Sequence, residues 1–412
     1  MTCTTIRIRT PEGGVMTTVE DPPASRTPAS NPLRQLLDAA EARHQLLTAH
    51  WELTHRCNER CTHCYLDVLP ANRADPGELT TDEGLRLLDE LHELGALNLT
   101  LSGGEPLLRR DFFLLAERAR TLGFVLRIFT NGLLITPALA DRLAALHPYA
   151  VEVSIYGADP ATHDAITRRP GSFARTTAAL GLLAERKVRT VLKVPLMHEN
   201  IRQFWQVKQL AADLGARFRF DLTLIPKLSG DPAPLRHRLT YADLLWFYRQ
   251  TLTPARSGAR ALAPGCRTCN IGVSALVIDP HGAVYPCLET RRSAGNIRAA
   301  PLRAIWEQAA VWGEVRSLTI DALPVCSACT LRSLCARCHG LAGLEHGDMR
   351  QPATANCVQT LAKRQVLLEQ GVEPAALPLT PHLAALLAQS GIPAAPVAAA
   401  PHPVLIPLLP MP

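Results

Sequence analysis

Residues 97–129 read LNLTLSGGEPLLRRDFFLLAERARTLGFVLRIF. A short apolar run at 97–101 stops at Gly-Gly, a helix-like stretch fills 110–122, and a second apolar run follows at 124–129. This is one strand–helix–strand unit, and the rhythm repeats on both sides of it. Strands are expected at 48–54, 97–101, 124–129, 150–155, 190–194 and 218–222, with helices near 81–94, 110–122, 137–146, 172–186 and 201–214. In TTDEGLRLLDELHELG, Thr80 or Thr81 is the expected cap and Gly95 the expected terminator. Six β/α units in series predict an α/β fold: parallel strands closed into a partial (β/α)6 TIM-like barrel, with ligands at the carboxyl ends of the strands.

The 412-residue chain is 47% hydrophobic and 19% charged, the balance of a globular enzyme that needs no disulfide staples. Its formal charge of +6 comes from scattered arginines without a basic block, which argues against nucleic acid. No apolar run reaches the ~18–20 residues of a membrane span, and MTCTTIRIRTPEGG lacks the apolar stretch of a secretory signal. A cytoplasmic protein is therefore expected, in which 12 cysteines point to metal rather than to disulfides.

The cysteines fall in two places. Cys3 stands alone, Cys57, Cys61 and Cys64 form C-x3-C-x2-C just beyond the first strand, and eight more lie between 266 and 357. Three thiolates can hold three irons of a four-iron cubane and leave the fourth iron without a protein ligand, open to a substrate or cosubstrate. The plain alternative is a zinc loop that borrows His55 or His63 as its fourth ligand.

The trio after the first strand of such a barrel resembles the signature of radical S-adenosylmethionine (SAM) enzymes. The resemblance implies that Cys57, Cys61 and Cys64 hold a [4Fe-4S] cluster whose open iron is chelated by the amino and carboxylate groups of SAM. His63 occupies the usually aromatic position beside the adenine. Gly103-Gly104-Glu105 at the end of the second strand is similar to the family's GGE motif. There the glycines are expected to let a ligand approach the backbone, and Glu105 to accept hydrogen bonds from the SAM ammonium. In SIYGADPATHDAITR, Ser154 would contact the ribose and Arg168 the SAM carboxylate, with Arg169 adjacent. TNG at 130–132 reads either as a further family-like strand end or as a plain turn.

The eight later cysteines read C266-x2-C269, Cys287 in IDPHGAVYPC, C326-x2-C329-x5-C335-x2-C338 and Cys357. Eight ligands suffice for two four-iron clusters. The pattern resembles the SPASM extension, which carries two auxiliary clusters with interleaved ligands, although the family's usual last spacing is C-x3-C. Carried over, one set is Cys266, Cys269, Cys287 and Cys338, and the other is Cys326, Cys329, Cys335 and Cys357. A pair of structural zinc sites is the alternative.

The domain boundaries expected are a disordered N-terminus with a lead-in helix at 1–46, a barrel at 47–230, a linker or helical connection at 231–263, a cluster domain at 264–371 and a flexible Ala/Pro-rich tail at 372–412. The resemblance implies a radical SAM oxidoreductase that cleaves SAM to a 5′-deoxyadenosyl radical and takes hydrogen from its substrate. A ribosomally made precursor peptide, cross-linked or otherwise matured, is the first expectation. A small-molecule or cofactor precursor (tetrapyrrole, quinone) is the alternative. Leu288 after Cys287, where sulfatase maturases carry an acid, argues against that activity. About 47 residues ahead of the first strand are too few for a leader-binding winged helix, so a separate recognition protein or the barrel surface would grip a peptide. A flavodoxin or ferredoxin-type reductant is implied. A non-catalytic zinc or iron–sulfur interaction protein is the reading from a different class.

Overall fold

Six parallel strands, β1 (Thr48–Glu52), β2 (Asn98–Ser102), β3 (Val125–Thr130), β4 (Ala150–Ser154), β5 (Thr190–Pro195) and β6 (Arg217–Asp221), pair in sequence order. Helices α1 (Thr81–Glu93), α2 (Phe112–Thr121), α3 (Pro137–Ala145), α4 (Pro160–Thr167), α5 (Ser172–Glu185) and α6 (Phe204–Asp213) run between them. The computed structural model describes residues 8–9, 15–16, 32–253 and 265–389. Thr80 caps α1 with a capping box through Glu83, and Gly95, at φ +85°, ends it. Helix α4 lies inside the stretch read as the loop after the fourth strand. Asp159 caps it by accepting from Thr162 N at 2.8 Å, and Pro160 occupies its first turn.

Period two sorts the side chains of these strands. Ala49, Trp51, Leu99, Leu101, Leu126, Ile128, Val151 and Val153 are buried in one apolar layer under the helices. Most alternate positions are polar, with Val125, Phe129 and Ala150 the apolar ones among β1–β4, although strands covered on both faces usually read as continuous apolar runs. His50 meets Ser102 Oγ at 2.5 Å, and Arg127 donates to the Glu152 carboxylate at 3.0 Å. Arg219 reaches the same carboxylate at 3.3 Å. The barrel interior is thus lined with hydrogen-bonding groups, as suits a chamber for a polar ligand.

The sheet does not stop at β1. A further strand, β7 (Ala275–Ile278), pairs parallel to β1, and β8 (Ala283–Tyr285) and β9 (Gly295–Asn296) continue antiparallel, giving nine strands in the order β6-β5-β4-β3-β2-β1-β7-β8-β9. The cysteine-rich region is joined to the barrel by a shared sheet.

Helices lie on both sides of the hairpin in the cysteine-rich region. Helix α7 (Tyr241–Thr251) packs on α9 (Thr354–Glu369), which follows the shorter α8 (His339–His346). Residues 381–389 fall in the stretch read as a flexible tail, yet they form α10 (Pro381–Gln389). Leu383 and Leu387, one helical turn apart, are buried in the main core, so a short apolar stripe is enough to dock this segment. The lead-in helix spans Pro32–Ala42. Two short strands, Ile8–Arg9 and Val15–Met16, pair within the N-terminal segment expected to be disordered. The rest of that segment, residues 254–264 of the linker region and the tail from 390 onward lie outside the described residues.

Candidate functional site

The loop after β1 carries the first three cysteines and is held from three sides. Arg60 N donates to Thr167 O at 3.2 Å and Thr62 N to Ile166 O at 2.9 Å, tying the loop to the last turn of α4. Arg169 Nη1 donates to Asn58 O at 2.6 Å. Asn131, in the turn after β3, donates from Nδ2 to Asn58 Oδ1 at 2.6 Å.

Gly103 and Gly104 close the remaining side. Gly104 N donates to Thr54 O at 2.7 Å, and Glu105 N to Arg56 O at 2.8 Å. A Cβ on Gly104 would lie 2.3 Å from Arg56 O, and one on Gly103, where φ is +135°, would lie 2.4 Å from Thr54 O. Both glycines therefore admit the chain's own cysteine loop, rather than leaving room for a ligand at those positions.

Glu105 is fully buried. Its carboxylate accepts from Thr130 Oγ1 and Asn131 N, each at 2.8 Å, and from Leu107 N at 3.1 Å. Burial lifts its pKa to about 7 despite these donors. Glu59, inside the cysteine loop, is 3% exposed with Oε1 unpartnered. Burial, then the neighbouring Glu105, raise its pKa to about 8.

All three thiols are free. Burial pushes Cys57 up to about 12, with Glu105 adding to it, and pushes Cys64 up to about 11. Cys61 is raised well above an ordinary thiol by burial, then by Glu59 and its two sister cysteines. One buried and two partly buried thiols beside two buried carboxylates make a pocket whose anionic form is stable only with compensating positive charge. That is the demand a bound iron–sulfur cluster satisfies.

Tyr156 ties the remaining candidates to the trio. Its ring meets His63 edge-on with centroids 4.7 Å apart, and its hydroxyl hydrogen-bonds with Ser154 at the end of β4. Arg168 caps α4 in the left-handed conformation, φ +54°. It lines a cavity of about 420 Å³ in which Arg60, Lys227 and Arg236 also surround Cys61 and Cys64. Two of the three cysteines, Cys61 and Cys64, thus face a space lined by four cationic side chains and by Asp67.

In the C-terminal region, Cys326, Cys329, Cys335 and Cys357 line one cavity, closed on one side by Leu383 of α10. Arg337 Nε donates to Cys326 Sγ at 3.3 Å, and buried Lys363 donates to Leu334 O at 2.8 Å. Cys269, Cys287 and Cys338 form a second group: Cys338 lies within electrostatic reach of Cys269, and Cys287 of Cys338. Cys287 Sγ contacts Glu289 Oε2 at 2.5 Å. Cys266 is buried but disulfide-bonded. This differs from the expectation of reduced cysteines throughout. A disulfide sulfur offers no thiolate, so Cys266 could ligate iron only after reduction.

Residues 51–211 match the Radical SAM superfamily, and residues 266–330 match the SPASM iron–sulfur cluster-binding domain. An AdoMet-dependent heme synthase of Methanosarcina barkeri is 31% identical over 328 residues, covering 72% of this chain and 92% of its own. The chain belongs to the radical SAM superfamily. This radical SAM/SPASM enzyme is also 31% identical to the mycofactocin maturase MftC of Mycobacterium tuberculosis, over 65% of this chain and 71% of the maturase. Its fold is similar to that of anSMEcpe with bound AdoMet, at TM-score 0.59 and 18% identity over 83% of this chain and 98% of that one. It is likewise similar to Streptococcus suis SuiB bound to the precursor peptide SuiA, at TM-score 0.58 and 15% identity over 81% and 83% of the two chains. Among the described residues, no helix is long and apolar enough to cross a membrane.

Several contacts escaped the sequence reading. Glu59, Asn131 and Arg169 brace the cysteine loop, and Glu52, Tyr65 and Arg291 form a buried network in the barrel. Glu52 accepts from Tyr65 Oη at 2.5 Å and from both terminal nitrogens of Arg291 at 3.1 and 3.2 Å. Burial would raise the Glu52 pKa, but Arg291 more than offsets it and holds the carboxyl below its usual range. One signal was present in the sequence: His50, Glu52, Thr100, Ser102, Arg127 and Glu152 recur at alternate positions of the strands.

Proposed function

We propose that this enzyme reductively cleaves SAM at the Cys57–Cys61–Cys64 site and uses the resulting radical to mature a ribosomally made precursor peptide. The observation that carries the first half is the trio of free thiols beyond the carboxyl end of β1, with buried Cys57 beside buried Glu105. Bound there, a [4Fe-4S] cluster and SAM would supply the 5′-deoxyadenosyl radical that abstracts hydrogen from the substrate. On this reading Glu105 orients the SAM ammonium, Ser154 the ribose and Arg168 the carboxylate, while His63 packs near the adenine. Gly103 and Gly104 act at one remove, by letting the cysteine loop sit against the strand end.

Cys326, Cys329, Cys335 and Cys357 would hold one auxiliary cluster. Cys269, Cys287 and Cys338, with Cys266 once reduced, would hold the other. Their role would be to accept an electron from the oxidised substrate, and a flavodoxin or ferredoxin-type protein would supply the reducing electron. The likeness to the mycofactocin maturase supports the peptide reading, and a separate leader-recognition protein would complete it.

A second reading has its own observation. The AdoMet-dependent heme synthase spans nearly its whole length in the comparison, and the cation-lined cavity beside Cys61 and Cys64 suits a substrate bearing several carboxylates, such as a tetrapyrrole. One assay separates the two. Anaerobically reconstituted enzyme is given SAM and reductant with either a peptide encoded beside its gene or a carboxylated tetrapyrrole. Substrate-dependent 5′-deoxyadenosine with hydrogen loss from the peptide supports maturation, whereas carbon dioxide released from the tetrapyrrole supports the second reading. Zinc in place of iron, with no SAM cleavage, would refute both.

A further inference from the structure

Two histidines and an aspartate outside the cysteine groups meet where the barrel touches the C-terminal hairpin. Donor atoms of His55, Asp75 and His281 all lie within 4.8 Å of one another. His55 follows β1, Asp75 sits in the loop ahead of α1, and His281 is at the tip of the β7–β8 hairpin. His281 Nε2 lies 3.0 Å from Asp75 Oδ2. The two imidazoles meet edge to face, with centroids 5.4 Å apart. His55 Nε2 is buried with no hydrogen-bond partner, a rare and costly state for a ring nitrogen.

We propose that these three side chains bind one divalent transition ion, apart from the cluster cysteines. Two imidazoles and one carboxylate form a donor set for zinc or ferrous iron rather than for calcium or magnesium, which prefer all-oxygen shells. Around zinc, donors at ~2.0–2.1 Å stand roughly 3.3 Å apart, so side-chain rotations of about 1 Å complete the set.

The surroundings are prepared for this. Asp75 Oδ1 accepts from Gly77 N at 3.1 Å, which leaves Oδ2 directed at His281. Glycine at residue 77 lets the His281 ring lie close, since a Cβ there would be 2.9 Å from it. Asn296 Nδ2 donates to His281 O at 2.9 Å, and His281 N donates to Asp279 Oδ1 at 2.9 Å, fixing the hairpin tip. The His281 side chain is 41% exposed against 11% for Asp75, so an ion has a path in, and solvent can fill the open coordination position. His55 lies two residues before Cys57 and His281 six before Cys287. An ion here therefore pins one cysteine-bearing segment to another.

The test uses the cluster-loaded enzyme equilibrated anaerobically with Zn²⁺, washed, and analysed for zinc, iron and acid-labile sulfide beside His281→Gln and Asp75→Asn. Wild type should retain about one zinc per chain more than either variant, with iron and sulfide equal in all three. The zinc X-ray absorption edge of wild type should show a nitrogen and oxygen shell with imidazole scattering and no sulfur. Equal zinc in wild type and both variants overturns the site, as does sulfur in the zinc shell. If His281→Gln also loses iron, Asp75→Asn and the wild-type spectrum decide the question.

Discussion

Replacing Gly104 by Ala tests whether the glycine pair serves the cysteine loop. The added Cβ would meet Arg56 O at 2.3 Å, Arg56 C at 2.8 Å and His55 O at 3.0 Å, all backbone atoms that no rotamer change can clear. Relief requires the two segments to part by about 1 Å, the sort of displacement that costs roughly 1–3 kcal/mol in a packed interior. It also stretches the bonds Gly104 N to Thr54 O and Glu105 N to Arg56 O, now 2.7 and 2.8 Å, at about 1 kcal/mol each. A loss of about 3–5 kcal/mol is expected, read as a lower urea midpoint. Because Cys57 and Glu105 flank this contact, 5′-deoxyadenosine formation should fall by a larger factor than stability explains, on the order of 10²-fold. Gly181→Ala is the matched control: it lies within α5 with nothing within 4 Å of its Cβ position, and Ala should be neutral or stabilising by about 0.5–1 kcal/mol. If Gly104→Ala melts and turns over like wild type, the account of the glycine pair is wrong.

Converting Cys57, Cys61 and Cys64 together to Ala should abolish 5′-deoxyadenosine production and remove about four irons per chain while the remaining clusters persist; undiminished production would refute the role given to the trio. Arg291→Ala strands fully buried Glu52 and should cost about 3–5 kcal/mol at neutral pH. With the Glu52 pKa depressed in the folded wild type, the pair's contribution is present above about pH 4.3 and is lost as pH falls through the folded value. A urea series across pH should therefore show wild type and variant converging in acid. Leu383→Ala, at a side chain 2% exposed beside the four-cysteine cavity, should cost about 2–5 kcal/mol and hasten bleaching of the iron–sulfur absorption in air. Glu105→Gln should weaken SAM binding by roughly 10–100-fold in equilibrium dialysis, the worth of a charge-assisted hydrogen bond; an unchanged affinity would remove Glu105 from the SAM contacts.

The β/α alternation was legible because each strand and helix is written locally. Apolar runs, a Thr80 cap and Gly95 place elements within a few residues of where the structure has them. The trio and the GGE turn were legible for the same reason, since each motif is one continuous segment. Residues that act across segments were not. Nothing near Arg169 in the sequence announces that it holds Asn58, and nothing near Arg291 announces Glu52, whose position is 239 residues away. Residues 381–389 misled because an alanine- and proline-rich composition reads as tail, while two leucines four apart suffice once α9 offers a surface.

By itself, then, the sequence determined which chemistry this chain carries: three thiols on one loop, a glutamate at a strand end, and eight further cysteines in a separate region. The resemblance implied how the later cysteines divide; tertiary structure decided what each group touches. It brought Cys326, Cys329, Cys335 and Cys357 to one cavity, turned Gly103 and Gly104 toward the backbone of the cysteine loop, and joined β7 to β1 so that both cysteine regions share a sheet. Spacing along a chain fixes what a loop can reach, but burial and hydrogen bonding between distant segments fix what it touches.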